Sequence, residues 1–413
     1  MRRPHKKGRS REKWWLQTVA GPVTLRNLLV VIGLAITMQY LDYRGTLGQW
    51  EGWFLDVALR WGPQSSGERQ IITVEIDKTA YDKFFCSKSP LETTVVTSLV
   101  KQIATAADNA SVIGVDILTE SPVYADVVTA PWFNDAKTVW AADAQTSAPT
   151  ESATFLGWLA GRNDEWSFEL PLVLGKTRND DDPVKWGASV YVHDRDLGVR
   201  KLTREFHRTQ RSADLKVWAR EVAKAFRTNS DTTHEEVLVS YSTLPPLEYK
   251  VSDLFTCNGG GGQCCAGEPV PSGFWNEFKQ ELQRYRPIVL IGGTFDSSRD
   301  LDTPIGRQPG LIVDAYAVQA ELSQTYVRDF HPWLKFVFDI PLGLATGWLV
   351  LRFAKRSMRR GMQISFLIAA VIIVVSVFLI HAGILWFSFA GVAFGAMLEQ
   401  LVELYIENPK AAD

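Results

Sequence analysis

Two aspartates at the ends of short apolar runs are the first residues in the sequence that could bind a ligand. Asp77 closes the run QIITVEID (residues 70–77), and Asp116 lies in SVIGVDIL (residues 111–118). Both runs are typical of buried strands. In open parallel sheets, ligands bind beyond the carboxyl ends of the strands, where loops diverge and helix N-termini present amide groups. We therefore predict a ligand site at Asp77 and Asp116, with helix capping as the alternative role of each.

A glycine turn is predicted to reach the same edge. Gly292, Gly293 and Thr294 follow the run PIVLIGG (residues 287–293), which has the composition of a third buried strand. The turn lacks the Gly-Lys-Ser/Thr ending of a phosphate-binding P-loop, as does the glycine run at 259–262. Neither turn therefore predicts a nucleotide site.

The histidines and serines form no recognisable catalytic motif. His193, His207 and His234 are not in H-E-x-x-H spacing, and no serine lies in a G-x-S-x-G sequence. The sequence therefore predicts a protein that is not an enzyme and that uses no cofactor and no metal. A hydrolase whose catalytic residues come together from distant parts of the chain is the alternative.

The chain has four cysteines, at positions 86, 257, 264 and 265. An even number in an exported segment favours two disulfides, and four cysteines allow three pairings that the sequence does not rank. Cys257 paired with Cys264 or Cys265 would close the glycine run, and free thiols are the alternative. A zinc site would need close pairs such as C-x-x-C with further ligands, and these are missing.

The elements in the middle of the chain predict an α/β domain with a mostly parallel sheet flanked by helices. Residues 91–107 carry apolar residues at helical spacing between the first two predicted strands, which gives a βαβ unit. The runs 171–175 and 287–293 are predicted as further buried strands, and 311–325 as a helix. The less regular segments 123–165 and 203–273 are predicted as insertions or edge elements.

Four apolar segments predict four transmembrane helices, because a helix of roughly 20 residues crosses a hydrocarbon core of about 30 Å. The predicted helices are residues 23–41, 333–353, 363–380 and 384–402. A cleaved secretion signal is the alternative for the first, but the Asp-Tyr-Arg sequence after it offers no pair of small residues for cleavage.

Lysine and arginine distribution sets the orientation, because basic flanking segments stay in the cytoplasm. Basic residues crowd the tail 1–22 and the loop 354–362, where Lys355, Arg356, Arg359 and Arg360 stand. These two segments and the tail 403–413 are therefore predicted in the cytoplasm, and the domain 42–332 outside it. The net charge of −2 gives no reason to expect a nucleic-acid partner.

Two glycine pairs in the predicted spans favour helix association. Gly343 with Gly347, and Gly391 with Gly395, form G-x-x-x-G faces that let helix backbones approach closely. A homo-oligomer, with a dimer favoured, is the prediction, and packing within one protomer is the alternative.

The order of several short motifs resembles the CHASE2 extracytoplasmic sensor domains. The motifs are Asp56 and Arg60, VEID at 74–77, IGVDIL at 113–118, DRDLGVR at 194–200, LIGGTF at 290–295, Asp302-Thr303-Pro304 and Pro309-Gly310. Three closing membrane helices match the layout of that family, whereas the cysteine-rich loop at 257–265 is not part of its pattern. Relatives commonly continue into a cytoplasmic output domain, and this chain ends at Asp413.

The resemblance implies a sensor that detects a small solute or an exported partner near Asp77, Asp116 and the turn from Gly292 to Thr303, which includes Asp302. The resemblance also implies a location in a bacterial inner membrane. The helices would signal to a separately encoded cytoplasmic effector bound at the basic loop 354–362 or at the C-terminal tail. The alternative function is a structural membrane platform that tethers other proteins without a ligand.

Overall fold

The computed structural model describes residues 48–60, 70–108, 111–142, 172–177, 184–189, 215–227, 245–257, 267–270, 273–296, 300–323 and 358–382. It also describes parts of 29–44, 146–147, 167–168, 192–193, 199–206, 236–241, 328–345 and 385–386.

Six strands form the central sheet. They are β1 (Ile71–Ile76), β2 (Val112–Asp116), β3 (Lys137–Ala142), β4 (Lys185–Ala188), β5 (Leu247–Lys250) and β6 (Ile288–Gly293). All pair in parallel, in the order β5-β1-β6-β2-β3-β4. Parallel strands covered on both faces are apolar along their whole length. Accordingly, all six residues of β1 and the first five of β6 are buried.

Eight α-helices have described bounds: α1 (Gly48–Arg60), α2 (Lys78–Phe84), α3 (Thr93–Ala106), α4 (Trp218–Phe226), α5 (Val251–Leu254), α6 (Gly273–Tyr285), α7 (Gly310–Ser323) and α8 (Met358–His381). The predicted strands at β1, β2 and β6 and the predicted helices at α3 and α7 are confirmed. Helix α3 buries Val95, Val96, Leu99, Val100 and Ile103, the face that the apolar spacing predicted.

The helices cover the sheet in two layers. Helices α7 and α4 pack on one face, against β1 and β6 and against β2, β3 and β4 respectively. Helices α2, α3, α5 and α6 form the other layer, where α2 and α5 contact β1. At Gly114 a Cβ atom would lie 2.7 Å from the ring of Trp218 and 2.8 Å from Leu290. Glycine in β2 therefore lets the Trp218 ring of α4 lie directly on the sheet.

Short hairpins and ribbons surround this core. Strands β7 (Leu301–Thr303) and β8 (Gly306–Gln308) form a hairpin just before α7. Three strands, Val192–His193, Val199–Thr203 and Glu236–Leu238, make a small antiparallel sheet. The remaining pairs are Thr146–Ser147 with Ser167–Phe168, Leu172–Val173 with Lys176–Thr177, Glu205–Phe206 with Leu215–Lys216, Phe255–Thr256 with Glu268–Pro269, and Arg328–Asp329 with Leu385–Trp386. Two 3-10 helices, Pro122–Thr129 and Pro131–Asn134, follow β2.

Two sequence interpretations of the domain were wrong. Residues 171–175 were predicted as a buried strand, but 172–177 form a tight hairpin whose turn residues Leu174 and Gly175 have φ of 50° and 66°. The backbone of that turn is held by Thr119, whose hydroxyl and carbonyl accept from the amides of Leu174 and Gly175. The segment 123–165 was predicted as an insertion or edge element, yet it supplies β3, which lies between β2 and β4.

Helix α8 packs against α1 through a separate small core. Leu55, Ala58 and Leu59 are buried against Ile372, Ile373 and Val377. Within the described residues, no helix is identified as both long and apolar enough to cross a membrane. The four predicted spans therefore stay predictions from hydropathy, and Gly343, Gly347, Gly391 and Gly395 lie outside the described residues.

Candidate functional site

The carboxyl edge of the sheet opens where β1 and β6 lie side by side. After β1 the chain turns into α2 on one face, whereas after β6 it passes through the β7–β8 hairpin into α7 on the other face. Such a divergence between neighbouring parallel strands creates the crevice in which α/β proteins bind ligands. The predicted residues Asp77, Asp116, Gly292, Gly293 and Thr294 lie at or just beyond these strand ends.

Four residues form a row across the edge, each in register with the next: Lys250, Glu75, Gly292 and Asp116. In-register partners in a parallel sheet project to the same face, and neighbouring strands lie about 4.8 Å apart. At Gly292 a Cβ atom would lie 2.9 Å from the Leu311 side chain and 3.1 Å from the Asp116 carbonyl oxygen. Glycine is therefore needed here so that the first turn of α7 can approach the strand ends.

Glu75 is the central titratable group of the row. Only 9% of the residue is exposed, and the Thr294 hydroxyl donates a hydrogen bond of 3.2 Å to its Oε2 atom. Burial, followed by the nearby charge of Glu248, raises the pKa of Glu75, while the Thr294 hydrogen bond and Lys250 act in the opposite direction. The predicted residue Thr294 thus acts on a carboxylate that the sequence interpretation did not single out. The sequence signal that could have indicated Glu75 is a single acidic residue inside a buried and mostly apolar strand.

Asp77 caps the helix that follows β1. Its Oδ1 atom accepts from the amide of Ala80 at 3.2 Å, and its Oδ2 atom accepts from the Ser252 hydroxyl at 3.1 Å. The structure therefore places Asp77 in the capping role that the sequence left as an alternative, and the Ser252 bond joins α2 to α5. Nothing in the sequence indicated Ser252.

The remaining predicted residues lie around the crevice. Asp116 is half-buried at the end of β2. A Cβ atom at Gly293 would meet the Phe295 ring, which stacks on Tyr81 with 4.0 Å between ring centroids. Asp302 is exposed on β7, and the Thr303 hydroxyl donates to the Gly306 carbonyl within the hairpin. The structure thus brings Asp116 and Gly292 together at the strand ends and leaves Asp302 and Thr303 on the hairpin.

An open cavity of about 630 Å³ adjoins the capped aspartate. Its wall includes Asp82, Lys83 and Ser87 from the end of α2 and the following turn, and Ser252, Phe255 and Thr256 from α5 and the strand after it. Ser252 links the cavity to Asp77 and so to the carboxyl edge of β1.

Two cysteines also line this cavity. Cys86 and Cys257 are both disulfide-bonded. Cys264 and Cys265 lie outside the described residues, so the pairing of the four stays a prediction. In the described part of the chain, no group of three or more His, Cys, Asp or Glu residues is arranged to hold a metal ion.

Comparison with known families identifies the domain. The family model for the CHASE2 domain matches residues 28–353 of the 413. The chain belongs to the CHASE2 family. CHASE2 domains are extracytoplasmic sensory domains, so the parallel sheet with its two helical layers is a sensor domain. No curated protein matches the chain, and no solved structure does.

The raised pKa of Glu75 predicts a specific pH dependence of stability. Because the folded pKa lies above the ordinary value of 4.5, Glu75 contributes stability that is full below about pH 4.5 and is lost as the pH rises through the folded pKa. In Glu75→Gln this titration is absent. The free energy of unfolding of wild type minus that of Glu75→Gln, measured by urea titration of the full-length protein in detergent, should therefore fall as the pH rises.

The control repeats this comparison in the Thr294→Val background, with and without Glu75→Gln. Removing the hydrogen bond that lowers the pKa of Glu75 should move the fall to higher pH. A difference that stays constant with pH, or that grows as the pH rises, would contradict the assignment.

Proposed function

We propose that the protein is a membrane-attached sensor in which the state of the CHASE2 domain is passed through helices to an effector protein in the cytoplasm. The domain would detect a small solute or an exported protein at the carboxyl edge of its sheet. It would bind its ligand without chemical change, consistent with a sequence that lacks the common hydrolase and P-loop motifs.

The observation that carries this proposal is a hydrogen bond between α1 and the hairpin that precedes α7. Arg60, at the end of α1, donates from Nε to the carbonyl oxygen of Pro304, in the turn between β7 and β8. Strand β8 ends at Gln308 and α7 begins at Gly310, with Leu311 lying against Gly292. A shift of α7 at the strand ends therefore reaches α1 through a connection of a few residues.

Helix α1 in turn contacts α8, the helix that contains the predicted span 363–380. The contact is the small core of Leu55, Ala58 and Leu59 against α8. Residues 42–47 separate α1 from the predicted span 23–41. Motion of α1 relative to the domain would thus act on two of the predicted membrane helices.

The surface of α8 supports a lipid environment. Phe366, Leu367, Val371, Val374, Val375 and Phe378 recur at helical spacing and are about half to two-thirds exposed. Soluble monomers rarely expose contiguous apolar surface of this kind, and such a stripe marks a membrane or protein contact. The proposal places this stripe in the bilayer and the basic loop 354–362 in the cytoplasm.

A ligand can favour one arrangement of the domain only by binding the two arrangements unequally. A ligand in the crevice between β1 and β6 would bind the closed and open arrangements unequally. The reason is that α2 and α7, which lie on opposite faces of the sheet there, would both contact it only when the crevice is closed. The effector is proposed to bind Lys355, Arg356, Arg359 and Arg360, and the glycine faces at 343, 347, 391 and 395 are proposed to pair two copies of the chain.

The Arg60 contact is tested by hydrogen exchange. Arg60→Met removes the donor to Pro304, and losing one hydrogen bond of about 1 kcal/mol should make the amides of β8 and the first turn of α7 exchange about fivefold faster. Arg284→Met is the matched control, since the Arg284 guanidinium lies over the ring of its neighbour Tyr285 on α6. Equal protection of residues 305–313 in wild type and Arg60→Met would contradict the connection.

The effector is tested by cross-linking in intact cells followed by purification of the full-length protein. A cytoplasmic protein should be recovered with wild type and lost when Lys355, Arg356, Arg359 and Arg360 are changed to glutamine. Changing Lys6 and Lys7 to glutamine alters a basic segment on the same predicted side and should leave the recovery unchanged. If no partner depends on the loop, the proposed output step is wrong.

A further inference from the structure

We propose that two copies of the chain pair through the open edge of the central sheet, with β5 of one copy antiparallel to β5 of the other and Glu248 of each opposite Lys250 of its partner. This contact would join the two six-stranded sheets into one. It lies in the sensor domain and goes beyond the glycine faces through which the proposed function pairs the membrane helices.

Strand β5 is an edge strand with one occupied side. Within the described part of the chain it pairs with β1 alone, whereas β4 at the opposite edge is followed by a further parallel bridge from Ala188 to Val217. An uncovered edge presents unpaired amide and carbonyl groups, which are a template for another strand. Of the two edges of the described sheet, β5 is therefore the open one.

The backbone groups of Glu248 and Lys250 point to the open side. The Thr73 hydroxyl of β1 donates to the Leu247 carbonyl oxygen at 3.4 Å, so Leu247 directs its backbone groups towards β1, as does Tyr249 two residues later. Neighbouring residues of a strand direct these groups to opposite sides. The Lys250 amide can therefore donate to the Glu248 carbonyl of the partner, and the two-fold axis repeats this bond.

The side chains favour one register of the pair. When the pair is centred on Tyr249, opposite charges lie across from each other twice, Glu248 facing Lys250 and Lys250 facing Glu248. Symmetric pairs centred on Glu248 or on Lys250 place like charges face to face, which destabilises a ladder. The strand is thus complementary in charge to a second copy of itself, and this selects the second copy as the occupant of the edge.

Both charged side chains are available for the partner. Glu248 and Lys250 are exposed, and neither forms a hydrogen bond or an ion pair within the described residues. They act on Glu75 through their charges. Tyr249 packs on Phe278 of α6, with 5.0 Å between ring centroids, so it anchors the strand from the opposite face of the sheet.

The residues on either side of β5 limit the contact to this short segment. Pro245 and Pro246 precede the strand and have no amide to donate, and α5 begins at Val251 directly after it. Two identical edges that meet around a two-fold axis leave no further edge of the same kind. The pairing therefore ends at two copies and does not continue into a fibre.

Charge reversal tests the pairing on the full-length protein in detergent, with the dissociation constant measured by energy transfer between donor-labelled and acceptor-labelled copies. Glu248→Lys and Lys250→Glu each replace two attractive pairs by two repulsive ones and should each weaken the homodimer about tenfold. Mixing the two variants restores both attractive pairs, so the heterodimer should form with an affinity close to that of wild type.

Lys185→Glu is the matched control, because Lys185 is an exposed lysine on β4, at the opposite edge of the same sheet. It should leave the dissociation constant unchanged. The neutral variants Glu248→Gln and Lys250→Gln disturb the fold less than the reversals, and each should weaken the homodimer about threefold.

Three results would each overturn the inference: a wild type that stays monomeric, single reversals that pair as tightly as wild type, or a mixture of the two reversals that pairs no better than either alone. Equal affinities of all variants with a dimeric wild type would leave the glycine faces as the contact between copies. The proposed pairing of the membrane helices is therefore judged separately from the pairing of the sheets.

Discussion

The fold depends on the insertion of β6 between β1 and β2. Strand β6 comes last of the six along the chain, yet it is hydrogen-bonded in parallel register on both sides. Its first five residues are buried, so the strand joins two halves of the core that would otherwise expose apolar edges. The same insertion places Gly292 between Glu75 and Asp116 and directs the following chain to the face opposite α2. The position of β6 therefore determines the packing of the core, the place of the crevice and the row of residues that contains Glu75 and Asp116.

The sequence predicted the elements that carry strong local signals. Strands β1, β2 and β6 are mostly apolar runs, and α3 has apolar residues at helical spacing, so the strand and helix patterns could both be recognised. Strand β4 (KWGA) and strand β5 (LEYK) are four residues long and contain no such run, and only their partners in the sheet make them strands. The strand prediction for residues 171–175 was wrong for the opposite reason, because the local pattern favoured a strand that the backbone does not form. The segment is apolar, but two left-handed residues bend it into a turn.

The placement of the candidate residues at the strand ends was predictable from the sequence, but their contacts were not. Strand-end aspartates and a glycine turn predicted that Asp116 and Gly292 lie at one edge of the sheet, because the carboxyl ends of parallel strands meet there. Which carboxylate is buried depends on the register of β1 with β5 and β6, which places Glu75 beside Thr294. Asp77 lies two residues further and instead finds the Ala80 amide and Ser252. The cavity at Cys86 and Cys257 joins segments about 170 residues apart in the chain, which no local pattern reveals.

The proposed signal path runs through α1, and it depends on the side of the membrane on which the domain lies. This helix contacts the hairpin before α7 at one end and the small core on α8 along its side. The proposal thus needs the domain on the far side of the membrane from the basic loop. Paired fusions to alkaline phosphatase, active outside the cytoplasm, and to green fluorescent protein, fluorescent inside it, test this directly when placed after Thr233 and after Lys355. The account predicts active phosphatase without fluorescence at Thr233 and the reverse at Lys355; fluorescence with inactive phosphatase at Thr233 would contradict it.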